Sequence, residues 1–187
     1  WAPGAAGRPG AFPPDQRRLP ARRTAPAPEG VLRRPGADDL DRVLEIETAP
    51  DTAVWLGESS RRWHTGAHDD PDREHLVVVD AGAVGGAAVA GFVVLAAPRG
   101  TEDGVELRRI VVAPEHRGRG LGRAALRAAV DRAFATAGRV WLDVKPGTTR
   151  ALALYASEGF VREQELPASP GDPDGAVALV ILARHRD

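Results

Sequence analysis

Cysteine and methionine are absent from the 187 residues, and tyrosine and lysine occur once each, as Tyr155 and Lys145. The absence of cysteine excludes disulfide bonds, thiolate metal sites and a cysteine nucleophile. No apolar run reaches the roughly 18 residues that a membrane helix needs. The first residues also lack the apolar segment of a secretory signal. We therefore expect a cytoplasmic protein that does not associate with membranes.

Acidic and basic residues nearly cancel, with 26 Asp and Glu against 25 Lys and Arg. No overall electrostatic field would therefore attract nucleic acid or an anionic membrane. Residues 1–29 are rich in Pro, Gly, Ala and Arg and contain few large apolar side chains. This composition predicts a disordered tail, with a basic arm for an acidic partner as the alternative interpretation. Residues 30–187 are enough for one folded domain.

A glycine-rich basic loop lies between a predicted strand, Val105–Val112, and a helix predicted from about Gly120 to Thr136. Glycine lets the backbone approach a ligand closely, and unpaired N–H groups at a helix start favour anions. The planar side chain of arginine suits phosphate. The loop therefore predicts a phosphate or pyrophosphate site formed by Arg117, Gly118, Arg119, Gly120, Leu121, Gly122 and Arg123.

Two common phosphate motifs do not fit this loop. A dinucleotide fingerprint starting at Gly118 would need glycine where Arg123 stands. A P-loop would end in Gly-Lys-Ser or Gly-Lys-Thr, and the single lysine lies elsewhere. The pattern Arg117-x-x-Gly120-x-Gly122, preceded by Val-Val-x-Pro-Glu, resembles instead the acetyl-CoA loop of the GNAT superfamily of N-acetyltransferases.

A second motif follows at the order and separation typical of that superfamily. Residues 141–160 resemble its next strand and its next helix, which carries A-x-x-L-Y up to Tyr155 and ends in Gly-Phe. The predicted order β-α-α-β-β-β-α-β-α-β-β is that of the GNAT fold. This is an α/β (α+β) fold, with a mixed central sheet of about seven strands and flanking helices. Within it we predict a helix at Thr52–Trp63, capped by Asp51, and a polar loop at His64–Arg73.

The resemblance implies that acetyl-CoA binds as co-substrate, with its pyrophosphate on the glycine-rich loop. Its pantetheine arm would lie along the predicted strand and pair with the backbone of Ile110, Val111 and Val112. The family often has asparagine in contact with the cofactor where Thr148 stands, and threonine retains a hydroxyl that can form a hydrogen bond.

The resemblance also implies direct attack of an amine on the thioester in a ternary complex, which agrees with the missing cysteine. Tyr155 occupies the family's general-acid position, and a phenol with a pKa near ~10 stays protonated at neutral pH. Glu106 is our first choice for the base, with Asp143 on the neighbouring strand as the alternative. We expect no metal. We interpret the His64 and His68 pair, four residues apart, as part of a solvated loop.

The acceptor is expected to be a small amine or a protein amino group. Carboxylates within Asp51–Asp72 and Glu163–Asp174 lead to the hypothesis that this acceptor is cationic. A non-catalytic acyl-CoA-binding regulatory module on the same fold is the first alternative. A nucleic-acid-binding protein is the second, and the balanced charge argues against it. For the state of assembly, we consider a homodimer as well as a monomer.

Overall fold

A computed structural model describes residues 30–56, 60–83, 88–97, 100, 102–167 and 179–187. The predicted tail at 1–29 therefore lies outside the described residues. Within the described residues, seven strands form one sheet in the order β1-β2-β3-β4-β5-β7-β6. The strands are β1 Leu32–Arg33, β2 Arg73–Asp80, β3 Ala88–Ala96, β4 Val105–Val112, β5 Arg139–Val144, β6 Val161–Leu166 and β7 Leu179–His185. The helices are α1 Asp39–Thr48, α2 Pro50–Ala53, α3 Arg61–Asp69, α4 Leu121–Phe134 and α5 Thr149–Ser157.

The sheet is mixed, which confirms the predicted fold class. Every described pair of neighbouring strands is antiparallel except β4 and β5, which run parallel. These two strands pair only at Val105–Val140 and Glu106–Trp141. Beyond Glu106 the two fully described strands separate, so the carboxyl-terminal half of β4 has a free edge toward β5.

Apolar side chains fill a layer on each face of the sheet. The larger core packs α4 and α5 against one face and includes Leu107, Leu126 and Leu142. The smaller core packs α1 and Trp63 of α3 against the other face and includes Val111. We call these the α4 face and the α1 face.

Strand β4 changes faces along its length because it contains a β-bulge. Val94 pairs with Arg109 and Leu95 pairs with Leu107, so Arg108 is an extra residue on β4. Successive strand residues normally alternate between faces, and one inserted residue reverses this alternation. Leu107 therefore lies on the α4 face and Val111 on the α1 face, although four positions separate them.

The prediction for the second helix was wrong. The segment expected to be one helix, Thr52–Trp63, contains the end of α2 and the start of α3. Pro50 begins α2, and Ser60 begins α3 by accepting a hydrogen bond at its side-chain oxygen from the Trp63 backbone N–H, at 3.1 Å. A proline at the first helical position and a serine cap are both strong local signals, and together they define two helices.

The predicted polar loop at His64–Arg73 was also wrong. Helix α3 continues to Asp69, and His64 on this helix is buried rather than solvated. The strand predicted at Val105–Val112 is β4 with the same bounds, and the helix predicted from about Gly120 to Thr136 is α4, whose ends differ within the usual uncertainty of helix ends. None of the described helices is both long enough and apolar enough to cross a bilayer.

Candidate active site

The glycine-rich loop provides backbone groups for an anion. Gly118 and Gly120 have φ values of 79° and 81°, a left-handed conformation that favours glycine. A Cβ atom added to either residue would meet no other atom within 4 Å, so the space beside both is open. Gly120 is also the N-cap of α4, whose first N–H groups have no partner within the helix. The loop thus combines an open surface with the positive end of a helix dipole.

The side chain of Arg117, predicted to face phosphate, turns instead toward α2. Its Nε donates to the carbonyl oxygen of Val112 at 2.8 Å, and its Nη2 donates to Thr52 Oγ1 at 2.9 Å. It also forms an ion pair with Asp51, the residue predicted as a helix cap. Arg117 therefore connects the end of β4 to α2, and much of its charge is compensated.

The other two loop arginines are also paired with carboxylates. Arg119 lies 3.0 Å from Asp80, and Arg123 forms an ion pair with Glu158 of the α5 end. Arg123 additionally donates to Ser157 Oγ at 3.0 Å. Each of the three guanidinium charges of the loop therefore has a counter-charge, so the backbone N–H groups at the start of α4 are the main candidates for binding an anion.

The free edge of β4 lies beside this loop. Ile110, Val111 and Val112 pair with β3 on one side and have no partner among the β5 residues. Alternate N–H and C=O groups of such an edge point away from the paired strand. An extended ligand can therefore add to the edge by backbone hydrogen bonds, as the sequence analysis expected for these three residues.

Tyr155 lies on α5 with only 8% of its surface exposed, and its ring contacts Phe160 at 5.7 Å between centroids. Burial, with a smaller contribution from the charge of Asp143, raises the pKa of Tyr155 to about 12. The phenol therefore stays protonated across the physiological range and can act only as a proton donor there.

Glu106 is the last β4 residue that pairs with β5, and its side chain is largely buried. Burial raises the pKa of Glu106 above its ordinary value, even though Arg108 lowers it, and Asp143 raises it further. The Arg108 guanidinium is 3.2 Å from the Glu106 carboxylate. A raised pKa makes a carboxylate a better proton acceptor, which is the property that a general base needs.

Asp143 links the two other candidate catalytic residues. It lies on β5, is exposed, and interacts electrostatically with both Glu106 and Tyr155. The three residues come from β4, β5 and α5, and they gather where β4 and β5 separate. All three were predicted from the sequence, and the structure brings them into one region beside the free edge.

Thr148 occupies the N-cap position of α5 but does not cap the helix with its side chain. Its hydroxyl donates instead to the carbonyl oxygen of Lys145 at 2.6 Å. This bond fixes the turn that follows β5. The neighbouring Gly147 lies close to the indole of Trp55, since a Cβ atom at Gly147 would be 3.8 Å from that ring. Trp55 thus bridges the end of α2 and the turn after β5.

A buried polar cluster on the α1 face was missed by the sequence analysis. It contains Glu47 of α1, His64 of α3, His75 of β2 and Arg109 of β4. The sequence signal was a histidine on what proved to be a helix. The members of the cluster lie far apart along the chain, and Glu47 and Arg109 are separated by 62 positions. We refer to these four residues as the Glu47 cluster.

Comparison with known proteins identifies the family of this chain. Residues 40–160, more than half of the chain, match the acetyltransferase (GNAT) family. A 57-residue segment is 47% identical to the N-alpha-acetyltransferase RimI of Mycobacterium tuberculosis. That segment covers 30% of this chain and 35% of the relative, so the chain corresponds to only part of the relative's length.

Solved structures support the fold. The spermidine N-acetyltransferase of Vibrio cholerae, in complex with CoA and spermine, has a TM-score of 0.69 and 21% identity, covering 82% of this chain and 94% of that one. The Escherichia coli ribosomal-protein-S18-alanine N-acetyltransferase has a TM-score of 0.64 and 23% identity, covering 81% and 90%. At these identities the similarity establishes the fold alone. The sequence match over residues 40–160 establishes more, and this chain belongs to the GNAT acetyltransferase family.

Proposed function

We propose that this protein is an N-acetyltransferase that transfers the acetyl group of acetyl-CoA to a primary amine by direct attack in a ternary complex. The observation that supports this most strongly is the separation of β4 and β5 beside the glycine-rich loop. That separation provides a slot for an extended acyl carrier, and the three candidate catalytic residues lie around it. Residues 30–187 would form the acetyltransferase domain, acting in the cytoplasm, with 1–29 as an appended tail.

In this mechanism the pyrophosphate binds the N–H groups between Gly118 and Arg123, and the pantetheine arm adds to the β4 edge at Ile110–Val112. Backbone pairing of this kind fixes an extended ligand along its length. Positioning of the two reactants is the main requirement for this chemistry, and effective molarities of about 10⁵–10⁸ M are available from it.

Proton transfer completes the reaction. Glu106 accepts a proton from the acceptor's ammonium group, directly or through water, so that the neutral nitrogen can attack the thioester carbon. The carbon–sulfur bond then breaks, and the thiolate takes the phenolic proton of Tyr155. The acylated nitrogen loses its extra proton to the Tyr155 phenolate through water, and Glu106 releases its proton to solvent. Asp143 is the alternative base, since it lies close to both residues. Each proton transfer contributes about 10²–10⁴-fold.

The acceptor class follows from charge at the slot rather than from the surface loops. Most described carboxylates of the two acidic segments are paired with arginines, as in Asp51–Arg117, Asp70–Arg73, Glu163–Arg139 and Glu165–Arg162. At the slot itself, Asp143 is exposed, and the Glu106 carboxylate is partly compensated by Arg108. These two carboxylates supply the local negative charge for an incoming ammonium group. We propose a small amine or a protein amino group as the acceptor, because similar folds act on spermidine and on a ribosomal-protein alanine.

Calorimetric titration with acetyl-CoA, CoA and NAD, followed by transfer assays, tests this function. The acceptors should include polyamines, peptides with N-terminal alanine, and matched neutral and anionic amines. Acetyl-CoA binding with turnover on a cationic acceptor is the expected result. Binding without turnover on any acceptor would favour the non-catalytic regulatory module. Absence of acetyl-CoA binding would refute both functions.

A further inference from the structure

The Glu47 cluster takes no part in the proposed reaction, yet it is among the most deeply buried polar groups of the described residues. Glu47 is 0% exposed and His64 is 1% exposed. One Glu47 carboxylate oxygen, Oε2, lies 2.6 Å from His64 Nε2, and the other forms an ion pair with Arg109. His64 Nδ1 lies 2.8 Å from His75 Nε2. The four side chains form a continuous polar chain from β4 to β2 beneath α1 and α3.

Burying such groups is costly, and stability alone does not explain their presence. Desolvation of a buried ion pair can exceed the attraction between its charges, and apolar replacements of similar size are often as stable. A fully hydrogen-bonded cluster does, however, favour one arrangement of the surrounding backbone over others. The role of this cluster therefore depends on which part of the structure it holds in place.

The cluster holds the residue that follows the β4 bulge. Arg109 comes directly after the extra residue Arg108, and its guanidinium carbon lies 3.7 Å from the centre of the Trp63 ring. Glu47 from α1 and Trp63 from α3 thus fix this side chain from two different helices. Arg109 can reach both only on the α1 face, and it lies on that face only because the bulge reverses the alternation of β4.

The bulge also lies where the slot begins. Pairing between β4 and β5 ends at Glu106–Trp141, two residues before Arg108. The proposed pantetheine edge, Ile110–Val112, begins one residue after Arg109. If β4 lost its bulge, the residues that follow would change faces, and the backbone groups of this edge would be displaced.

We propose that Glu47 is a positioning residue, which holds Arg109 on the α1 face and thereby keeps the β4 bulge and the slot edge in the geometry that binds acetyl-CoA. This inference rests on the proposed function for its ligand. Glu47 is fully buried and so has no surface available for contact with a ligand. It acts through Arg109, with His64 and His75 satisfying and orienting its second oxygen.

The test compares Glu47→Gln with Val43→Ala in the full chain. Val43 is a buried core residue of the same helix and packs on the same face of the sheet, so its truncation controls for a weakened helix–sheet layer. Denaturant is added to the more stable variant until both have the same free energy of unfolding. Backbone hydrogen exchange of residues 107–112 is then measured without ligand, followed by the acetyl-CoA Kd and the kinetic constants.

Glu47→Gln should increase exchange in residues 107–112 and raise the acetyl-CoA Kd by at least about tenfold, because small displacements of a binding edge are costly. The acceptor KM should stay within about twofold, since the variant leaves uniform acceptor binding intact. Val43→Ala should change neither the exchange of this segment nor the Kd. Equal exchange and equal Kd in the two variants would overturn the proposal.

Arg109→Lys provides a second variant if Glu47→Gln does not fold. Lysine keeps the positive charge next to Glu47 but loses the planar group that stacks on Trp63 and donates in two directions. It should increase exchange and weaken acetyl-CoA binding in the same way, and wild-type behaviour would contradict the proposal. If the unmodified protein does not bind acetyl-CoA, the proposed function fails, while the exchange measurement still decides whether Glu47 holds the bulge.

Discussion

Replacing Tyr155 with phenylalanine separates proton donation from cofactor binding. Phenylalanine keeps the ring that packs on Phe160 and removes only the hydroxyl group. Because burial and Asp143 raise the pKa of Tyr155 to about 12, this hydroxyl holds its proton at neutral pH. The variant should therefore retain the fold and the slot, and lose the group that protonates the departing thiolate.

The size of the effect can be bounded. A positioned general acid contributes about 10²–10⁴-fold, which corresponds to about 3–5 kcal/mol of activation free energy. The lower end applies here, because a thiol with a pKa near ~8.5 gives a leaving group that depends only moderately on protonation. We expect kcat to fall about 100-fold for Tyr155→Phe, while the acetyl-CoA Kd stays within about threefold of the original value.

Steady-state kinetics with the best acceptor and calorimetry with acetyl-CoA give the two quantities. Phe160→Leu is the matched control, since it alters the same ring contact and leaves the hydroxyl in place. Its kcat should remain within about threefold of the original value. A Tyr155→Phe variant with a kcat equal to that of this control would show that another group protonates the thiolate.

Three further predictions concern the loop, the candidate base and the packing of β3 against β4. Gly120→Ala forces an L-residue into a left-handed conformation at a cost of about 1–2 kcal/mol. Its acetyl-CoA Kd, measured by calorimetry, should therefore rise well above that of Gly122→Ala, because Gly122 does not have a positive φ. Equal Kd values for the two variants would refute the loop assignment. Glu106 has a raised pKa in the folded protein, so folding favours its protonated form. As the pH rises above the ordinary pKa of 4.5, the ionised carboxylate therefore lowers the stability of the folded protein. Glu106→Gln should therefore have a higher Tm than the original protein at pH 7 and the same Tm well below pH 4.5, and its turnover should be lost. A Tm at pH 7 no higher than that of the original protein would contradict the pKa shift. A Cβ atom at Gly91 would lie 2.1 Å from the carbonyl oxygen of Val111. Gly91→Ala should therefore lower the free energy of unfolding, measured by denaturant titration, by about 1–3 kcal/mol. An unchanged free energy of unfolding would refute the close approach of β3 and β4.

Local patterns made most of the fold predictable. The apolar periodicity of α4 and the strand patterns of β3 and β4 are carried by neighbouring residues, and the element order follows from them. The glycine-rich loop could be located because a left-handed backbone favours glycine at defined positions, here Gly118 and Gly120. Tyr155 was found through its motif, although its high pKa depends on burial that no short pattern contains.

The errors of the sequence analysis arose where the outcome depended on distant residues. One continuous helix capped by Asp51 was expected after α1, whereas Pro50 and Ser60 begin two separate helices. His64 was assigned to a solvated loop, because its partner Glu47 is 17 positions away and neither residue suggests burial alone. A buried charged cluster can form only when several elements supply its members, and short-range patterns do not record such a combination.

The sequence by itself determined the order of the strands and the position of the glycine-rich loop, because each depends on spacing within one or two adjacent elements, and its resemblance to the GNAT family named the candidate catalytic residues. Only the tertiary structure decided the state of the charges. It paired the loop arginines with carboxylates 35 to 66 positions away, as in Arg123–Glu158 and Arg117–Asp51. It also buried Glu47 and placed the β4 bulge at the start of the slot. Burial and electrostatic compensation depend on which surfaces meet in space, and that is settled only when the helices pack on the sheet.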